Sequence, residues 1–347
     1  MQIIRDDERV KLVLGALMEA FRAKSYPYNL PQARVPQDPR HLPANLPLGG
    51  LDHARFLWHV CYYMRGTIKS NNAVKLLAAL YTDHPDIFDF SVAAGLDKLW
   101  LGELLKQYQL GYRYNQISGF WVDNAARMLM RYDGDPRLIF TGVDTYEGAQ
   151  KRIQNDKHGG GFLGFQEKMV SMIIYYLLDE ELIEFFNFPI PIDLHVMRVT
   201  VANELLRFVD VPPDGNVLTD ETLAAARKLY LDYARTYQVN PLRLCDAVWL
   251  LSMVLCSGQP GNTTLEPGGR IRQLGRPLRL EALNLTNSTE RQRRAYARTC
   301  AQCVLQATCR WNVPAGPYYR QRIIILRGQR IELPPPLVQL TLFDPHG

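Results

Sequence analysis

Apolar residues recur at helical spacing along most of this chain, and that periodicity is the feature that most restricts its fold. Polar or glycine-containing turns separate most of the apolar stretches, so each stretch is expected to form its own helix. A first helix is predicted from Asp6 to about Ala23. Further helices are predicted over residues 54 to 80, 95 to 109, 116 to 132, 145 to 156, 166 to 186, 193 to 208, 219 to 236 and 241 to 256. The pattern therefore predicts an almost entirely α-helical body.

Two segments interrupt this pattern. Six prolines between Pro27 and Pro47 prevent regular structure, which predicts an arm that wraps the body. Residues 258 to 276 are loop-like in composition. The only strong β signal comes late, in RIIILRGQRIEL, where Arg327 and Gly328 are expected to turn a small C-terminal β-hairpin.

Composition narrows the function. The chain has 347 residues, of which 47% are hydrophobic, enough for one large core or two lobes. Net charge is only +5, yet residues 270 to 330 hold thirteen Arg, no Lys, no Asp and two Glu, which points to a polyanionic partner. The sequence shows neither a long apolar run nor a signal peptide, so a cytosolic protein without membrane contact is expected.

A glycine-rich turn, GGGFLGFQEK, precedes the apolar run MVSMIIYYLL. In a helix-hairpin-helix motif, glycines let the backbone N–H groups of the turn approach a DNA phosphate, assisted by the dipole of the following helix. Gly161 and Gly164 would supply the glycines here, and Gln166 stands where a second hairpin glycine is usual. Taken alone, such a turn also fits an ordinary connection between two helices.

With its neighbours, the turn resembles the helix-hairpin-helix (HhH-GPD) DNA glycosylase superfamily, which includes endonuclease III, MutY, and 8-oxoguanine and archaeal glycosylases. GFQEKMVSMI is similar to the family segment G-h-G-x-K-x-A, and PIDLHVMRVT is similar to P-h-D-x-H-h-x-R-h. LGYRYNQISGFWVDNAARMLMRYDGDP resembles the helix ahead of the hairpin. CYYMRGTIKSNNAVKLLAALY resembles the early helix that inserts a side chain into the base stack. The similarity covers roughly residues 55 to 310 and implies two helical lobes.

The resemblance implies catalytic roles for Lys168 and Asp193, which lie 25 residues apart. Breaking an N-glycosidic bond builds positive charge on the sugar, which a carboxylate stabilises. An amine of lowered pKa can attack the anomeric carbon and form a Schiff base that permits strand cleavage. The alternative is that Lys168 only contacts a phosphate and Asp193 only caps the helix that begins at Leu194. The long interval and the absent glycine indicate a divergent branch and leave AP-lyase activity open.

The resemblance also implies contacts to DNA beyond the hairpin. His195 and Arg198 follow Asp193 on the same helix, and His195 is expected to be structural or to contact a phosphate. Taking a base out of the stack requires a plug and a pocket. Three residues near the start of the early helix are candidates for the plug: Thr67, Lys69 and Asn71. Four aromatic residues are candidates for the walls of the base pocket, although each could equally lie in the core: Tyr112, Tyr114, Phe120 and Trp121.

Three cysteines, Cys300, Cys303 and Cys309, match the last three positions of C-x6-C-x2-C-x5-C, which surrounds a [4Fe-4S] cluster in the same family. The first position is Arg293, so Cys256 is the expected substitute ligand. Structural zinc is the alternative cofactor, since four thiolates also bind zinc. The cluster would present nearby arginines to DNA phosphates, among them Arg291, Arg293, Arg294, Arg298 and Arg310.

The C-terminal tail follows three prolines and contains QLTLF, which resembles the bacterial sliding-clamp-binding pentapeptide. Such a peptide inserts its side chains into a groove from a flexible terminus. The residues concerned are Gln339, Leu340, Leu342 and Phe343. The alternative is that these residues pack back onto the body as a final strand.

Together these features divide the chain into four expected segments: an N-terminal helix and arm (1–54), a glycosylase core (55–256), a basic iron-sulfur region (257–315) and a hairpin with tail (316–347). The expected protein is a monomeric DNA glycosylase in the bacterial cytoplasm, associated with the nucleoid. It would excise a damaged or modified base in base excision repair or in defence against phage DNA. The alternatives are a non-catalytic helix-hairpin-helix protein recruited to replication forks and a zinc-stabilised RNA-binding or RNA-processing protein.

Overall fold

A computed structural model describes residues 1–64, 68–110, 113–154, 161–210, 217–256, 278–280, 290, 294, 297–309 and 323–325. Over these ranges the chain is mainly α-helical with two small antiparallel sheets, which confirms the predicted fold class at that level. Several predicted positions lie outside the described residues: Thr67, Tyr112, Arg310, the turn at Arg327 and Gly328, and the tail residues Gln339, Leu340, Leu342 and Phe343.

The elements are numbered here in chain order. The helices are α1 (Asp7–Arg22), α2 (Leu51–Cys61), α3 (Ser70–Asp83), α4 (Phe90–Ala93), α5 (Lys98–Gln107), α6 (Tyr114–Tyr132), α7 (Tyr146–Ile153), α8 (Glu167–Asp179), α9 (Leu194–Ala202), α10 (Asp220–Thr236) and α11 (Pro241–Val254). The strands are β1 (Gln2–Arg5), β2 (Leu206–Val209), β3 (Leu278–Leu280) and β4 (Ile323–Ile325).

Three predicted helices are shorter than expected. The stretch 54 to 80 is two helices, α2 and α3, rather than one. Helices α8 and α9 end at Asp179 and Ala202 because the chain leaves each of them through a left-handed residue, Glu181 (φ 54°) and Glu204 (φ 52°). Just beyond each helix a backbone N–H reaches back to the last turn, as in common helix C-caps. These stops free the following residues for other structure.

The strands differ from the sequence prediction near the N-terminus and agree with it in part near the C-terminus. No strand was expected at the N-terminus, but β1 pairs antiparallel with β2, with Ile3 opposite Phe208. The segment after α9 therefore forms a strand edge instead of a longer helix. A strand, β4, lies within the late β segment as predicted, but its described partner is β3, with Leu278 opposite Ile325. The hairpin expected at Arg327 and Gly328 lies outside the described residues.

Helix α8 lies at the centre of the packing, because most of its residues are buried. It contacts α2 and α7, while α6 packs against α4 and α5, and α11 packs against α1 and α9. The arm after α1 is irregular, as its prolines predict, and lies against α8 and α11. Tyr28 donates to the carbonyl of Ala247 (2.9 Å), and Gln37 donates to the hydroxyl of Tyr175 (2.5 Å). Among the described residues, no helix has the length and apolarity needed to cross a membrane.

Candidate functional site

The connection between α7 and α8 is a tight turn of which residues 161–166 are described. Gly164 has φ +83°, a left-handed conformation that glycine adopts without steric cost. Asn124 of α6 is fully buried and holds the turn from below: its Nδ2 donates to the carbonyl of Leu163 (2.9 Å), and its Oδ1 accepts from the N–H of Leu163 (2.7 Å). Arg127 donates to the carbonyl of Gly161. The turn is therefore fixed by side chains from another helix.

The turn buries two aromatic side chains and exposes its last residue. Phe162 and Phe165 are buried and lie 4.8 Å and 4.3 Å, centroid to centroid, from the indole of Trp58. Gln166 is exposed at the N-cap of α8 and makes no side-chain capping bond. The aromatic side chains of the turn thus stay in the core, while its last residue, Gln166, is exposed.

Lys168 is the second residue of α8 and is half-buried. Its ammonium group donates to the carbonyl of Met64, in the connection from α2 to α3. The same connection ends at Lys69, the N-cap of α3, and Asn71 lies in the first turn of that helix. The candidate nucleophile is therefore tied to the segment that carries the candidate plug residues.

Asp193 is the N-cap of α9, which confirms the capping role considered from the sequence. Its Oδ1 accepts from the backbone N–H groups of His195 (2.8 Å) and Val196 (2.9 Å). Its Oδ2 makes no hydrogen bond with any residue that the structure describes, and the side chain is half-buried. Capping consequently occupies one carboxylate oxygen and leaves the other for a ligand.

His195 brings the candidate groups together. Burial lowers the pKa of its imidazole, Asp193 opposes this shift, and the positive charges of Arg198 and Lys168 add to it. Nδ1 of the ring lies 3.2 Å from the hydroxyl of Ser252 on α11. Since the charges of Asp193 and Lys168 both act on one imidazole, these two groups share one electrostatic neighbourhood.

Arg198 occupies a different position from the one expected. Its side chain is only 8% exposed and crosses from α9 to α11, where it donates to the hydroxyl (3.3 Å) and carbonyl (3.5 Å) of Ser252. Burial lowers the pKa of its guanidinium, against the opposing effect of Cys256 and Asp193. This position suits a structural bridge between two helices more than a contact with DNA at the surface.

The four cysteines chosen from the sequence line a single cavity of ≈ 30 Å³ between α9, α11 and residues 297–309: Cys256, Cys300, Cys303 and Cys309. Burial raises the pKa of the Cys256 thiol, and burial together with the nearby thiols raises that of Cys303. The N–H of Leu305 donates to the sulfur of Cys303 (3.4 Å). As the side chains stand, no three His, Cys, Asp or Glu within the described ranges converge tightly enough to hold a metal ion. The donor set itself, four sulfurs around one buried space, fits a soft metal centre.

The N-terminal region contacts residues 297–309, called here the cysteine loop, and holds them in place. Arg9 of α1 donates to the carbonyls of Asn203, just after α9, and Thr308, between the last two cysteines. The hydroxyl of Tyr26 donates to the carbonyl of Arg298 (2.6 Å). Cys245 is buried in the core, as the sequence predicts.

The remaining candidates divide between surface and core. Lys69, Arg294 and Arg298 are exposed, while Asn71, Tyr114 and Phe120 are half-buried. Trp121 is fully buried, and its indole N–H donates to the carbonyl of Ile87 (2.9 Å). The ring packs against Phe88 and His59, which favours the core position that the sequence left open for it over a pocket wall.

Sequence reasoning missed the residues that support the site: Asn124, Ser252 and Arg9. The signal for Asn124 was present, because an amide on the apolar face of a predicted helix, beside Trp121 and Ala125, needs a polar partner. Ser252 carried no comparable signal. In the comparisons with known proteins, no family model matches this chain. No curated protein matches it either.

Proposed function

We propose that this protein is a two-lobed DNA glycosylase with a helix-hairpin-helix element, which extrudes a damaged or modified base and cleaves its glycosidic bond. One observation carries the proposal. Lys168 and Asp193, selected from their motifs alone, lie at the starts of α8 and α9. Asp193 accepts from the N–H of His195 (2.8 Å), and the charge of Lys168 acts on the ring of the same residue. A phosphate-binding turn directly before α8 would place DNA beside both groups.

Asp193 would be the central catalytic group. Two backbone N–H donors fix its Oδ1 and hence the plane of the carboxylate. Oδ2 would then face the sugar, where it stabilises the positive charge that develops as the base departs, or orients the water that attacks. Burial lowers the pKa of His195 beside it, which disfavours a competing positive charge on the ring.

Lys168 has two available roles. As a nucleophile it must lose a proton and leave the carbonyl of Met64. As a charged helper it remains where it is, and the ammonium orients the connection to α3 around an extruded base. The bond to Met64 favours the helper role, and AP-lyase activity would require that bond to open.

The cysteine cavity would hold a [4Fe-4S] cluster through Cys256, Cys300, Cys303 and Cys309, with zinc as the alternative. The group would supply structural stability rather than take part in base removal. Held by it, residues 297–309 would keep Arg298, and Arg294 just before them, at the surface for DNA phosphates.

The biological setting follows from the proposed glycosylase activity. A bacterial cytoplasmic enzyme of this kind would act in base excision repair or against modified bases in phage DNA, and would reach replication forks if its tail binds a sliding clamp. Genomic DNA carrying natural modified bases therefore belongs among the test substrates.

The decisive experiment incubates labelled DNA with wild-type protein, Asp193→Asn and Lys168→Ala, and measures abasic sites with and without alkali. Asn retains helix capping, so Asp193→Asn separates chemistry from folding. Asp97→Asn is the matched control, because Asp97 caps α5 through one side-chain oxygen (2.8 Å to the N–H of Trp100). We expect Asp193→Asn to abolish abasic sites and Asp97→Asn to retain them. Strand breaks before alkali that vanish in Lys168→Ala would establish lyase activity.

A second candidate function is a non-catalytic DNA-binding module, and one observation favours it: both candidate catalytic groups have structural work, capping for Asp193 and the Met64 contact for Lys168. Tight, salt-sensitive DNA binding without abasic sites on any substrate would establish this function and exclude the glycosylase.

A further inference from the structure

An open cleft of ≈ 970 Å³ lies between the end of α1, the proline-rich arm and α11. We call it the arm cleft; its α11 wall consists of Asn240, Arg243, Asp246 and Leu250. The cysteine cavity uses a different face of α11, that of Leu251 and Leu255. The two spaces share no lining residue, although the hydroxyl of Tyr28 is near enough to Cys303 and Cys256 for their charges to act on its pKa. The size of the arm cleft is within the range of small-molecule sites, roughly 300–1,000 Å³.

The charges that line the arm cleft favour an anion. Its acids are already neutralised, since Asp38 pairs with Arg40 (2.5 Å) and Asp246 with Arg243 (2.7 Å). Three further cations face the same space, and their side chains make no hydrogen bond or ion pair with any described residue: Arg22, Lys24 and Arg34. Three cations around one cleft suit a group that carries several negative charges, as a polyphosphate does.

The same cleft has aromatic and aliphatic lining. Phe21 and Tyr28 pack edge to face, 5.1 Å between centroids, and both line the space together with Leu30 and Val35. The hydroxyl of Tyr28 is bound to the carbonyl of Ala247, which fixes its ring. Fixed aromatic faces are the surfaces on which nucleobases stack in proteins.

The rear wall is rigid before any ligand arrives. Tyr175 donates to Asp246, Gln37 donates to both Tyr175 (2.5 Å) and Asp179 (2.8 Å), and Arg243 pairs with Asp179. Burial raises the pKa of Asp246 to about 7, so this carboxyl repels an anion less than an exposed aspartate does. A preformed wall reduces the conformational entropy lost on binding.

We propose that the arm cleft binds a mononucleotide, with its phosphates at Arg22, Lys24 and Arg34 and its base against Phe21 and Tyr28. The combination of unpaired cations and a fixed aromatic face in one small-molecule-sized space carries this inference. It is independent of the proposed glycosylase activity, because the arm cleft includes neither Lys168 nor Asp193.

The test is isothermal titration calorimetry on the full-length protein with ATP, AMP, adenosine and inorganic phosphate as separate probes. We expect ATP to bind at micromolar concentration, AMP more weakly, and adenosine and phosphate far more weakly than either. Arg34→Ala and the double variant Arg22→Ala/Lys24→Ala should each weaken ATP binding about tenfold or more, the loss expected for one or two charge-assisted contacts. Lys106→Ala, an exposed cation on α5, is the matched control and should bind as wild type does.

Tyr28 separates the base from the phosphates. Tyr28→Phe keeps the ring and should retain ATP binding, whereas Tyr28→Leu should reduce the preference for ATP over inorganic triphosphate. Circular dichroism of each variant checks that the fold is intact.

Several outcomes would overturn the proposal. One is the absence of ATP and AMP binding at millimolar concentration; another is ATP affinity unchanged in both cation variants. Phosphate or triphosphate binding as tight as ATP would show an anion site without base recognition. Loss of ATP binding in the Asp193→Asn variant, or displacement of ATP from the wild-type protein by saturating duplex DNA, would place the nucleotide in the DNA site instead.

Discussion

The starts of α8 and α9 carry the two candidate catalytic groups and are built in opposite ways. At α8 the turn is held by Asn124 and Arg127 from another helix, and Lys168 has no part in capping. At α9 the candidate group, Asp193, is itself the cap. The residues that support the helix start and the candidate catalytic residue are therefore different at α8, whereas at α9 they are the same residue. This difference determines which substitutions can separate them.

The largest effect is expected where α8 depends on a remote side chain. Asn124→Ala removes both bonds to Leu163, leaves two partly buried backbone groups without their partner and empties the fully buried space of the amide, so we expect it to lower the free energy of unfolding by roughly 2–4 kcal/mol. Urea denaturation measures the change. Asn115→Ala, an exposed amide on the same helix, should lower it by less than about 0.5 kcal/mol. Equal stabilities for the two variants would show that the turn does not need Asn124.

At α9, two substitutions of one residue should behave differently. Asp193→Ala removes the cap and should cost about 1 kcal/mol of stability, whereas Asp193→Asn should cost only a few tenths. Both should lack abasic-site formation. Asp97→Ala should lose similar stability to Asp193→Ala while remaining active. If Asp193→Asn kept its activity, the α9 start would be structural alone.

The shared neighbour of the two starts offers an electrostatic test. Replacing Lys168 by Met removes a charge that lowers the pKa of His195, so that pKa should rise; Asp193→Asn removes a charge that raises it, so it should fall further. NMR titration of the His195 ring, assigned through His195→Gln, measures both shifts. Two shifts of the same sign would show that one group does not act on His195.

Stability should reflect the same imidazole. The pKa of His195 is lower in the folded protein than its ordinary value of 6.5. Below pH 6.5 the unfolded chain therefore takes up this proton first, so the contribution of His195 to stability is complete above that pH and is lost as the pH falls toward the folded-state pKa. In urea denaturation between pH 7.5 and 5.5, His195→Gln should lose less stability than wild type. An identical pH dependence would contradict the burial of the ring.

The smallest effect is expected at Gln166, which is exposed and makes no capping bond. Gln166→Gly should change stability by less than about 1 kcal/mol and supply the glycine that is usual in hairpins that bind DNA. Fluorescence anisotropy with duplex DNA should then show equal or tighter binding. Weaker binding would indicate that the glutamine side chain itself contacts DNA.

Local pattern predicted much of this structure. Periodicity located most helices, and the spacing of the cysteines, with Cys256 as the substitute, identified four side chains that share one cavity. Local pattern did not predict the features that depend on contacts between distant parts of the chain. The pairing of β1 with β2 joins residues about two hundred positions apart, and the burial of Arg198 and Trp121 depends on helices that pack over them. Periodicity describes a face of a helix but does not identify what covers it.

The hydrogen bond from Arg9 to the carbonyl of Thr308 can form only late in synthesis of the chain. The two residues are 299 positions apart, and strand β1 likewise awaits β2. At a synthesis rate of roughly 5–20 residues per second, the first helix emerges about 15–60 seconds before the cysteine loop that it holds. During that interval the apolar face of α1, which is buried in the folded protein, lacks the residues that will cover it. An uncovered apolar face favours chaperone binding to the nascent N-terminus. Assembly at the cysteine cavity would then be among the last events in the maturation of the chain.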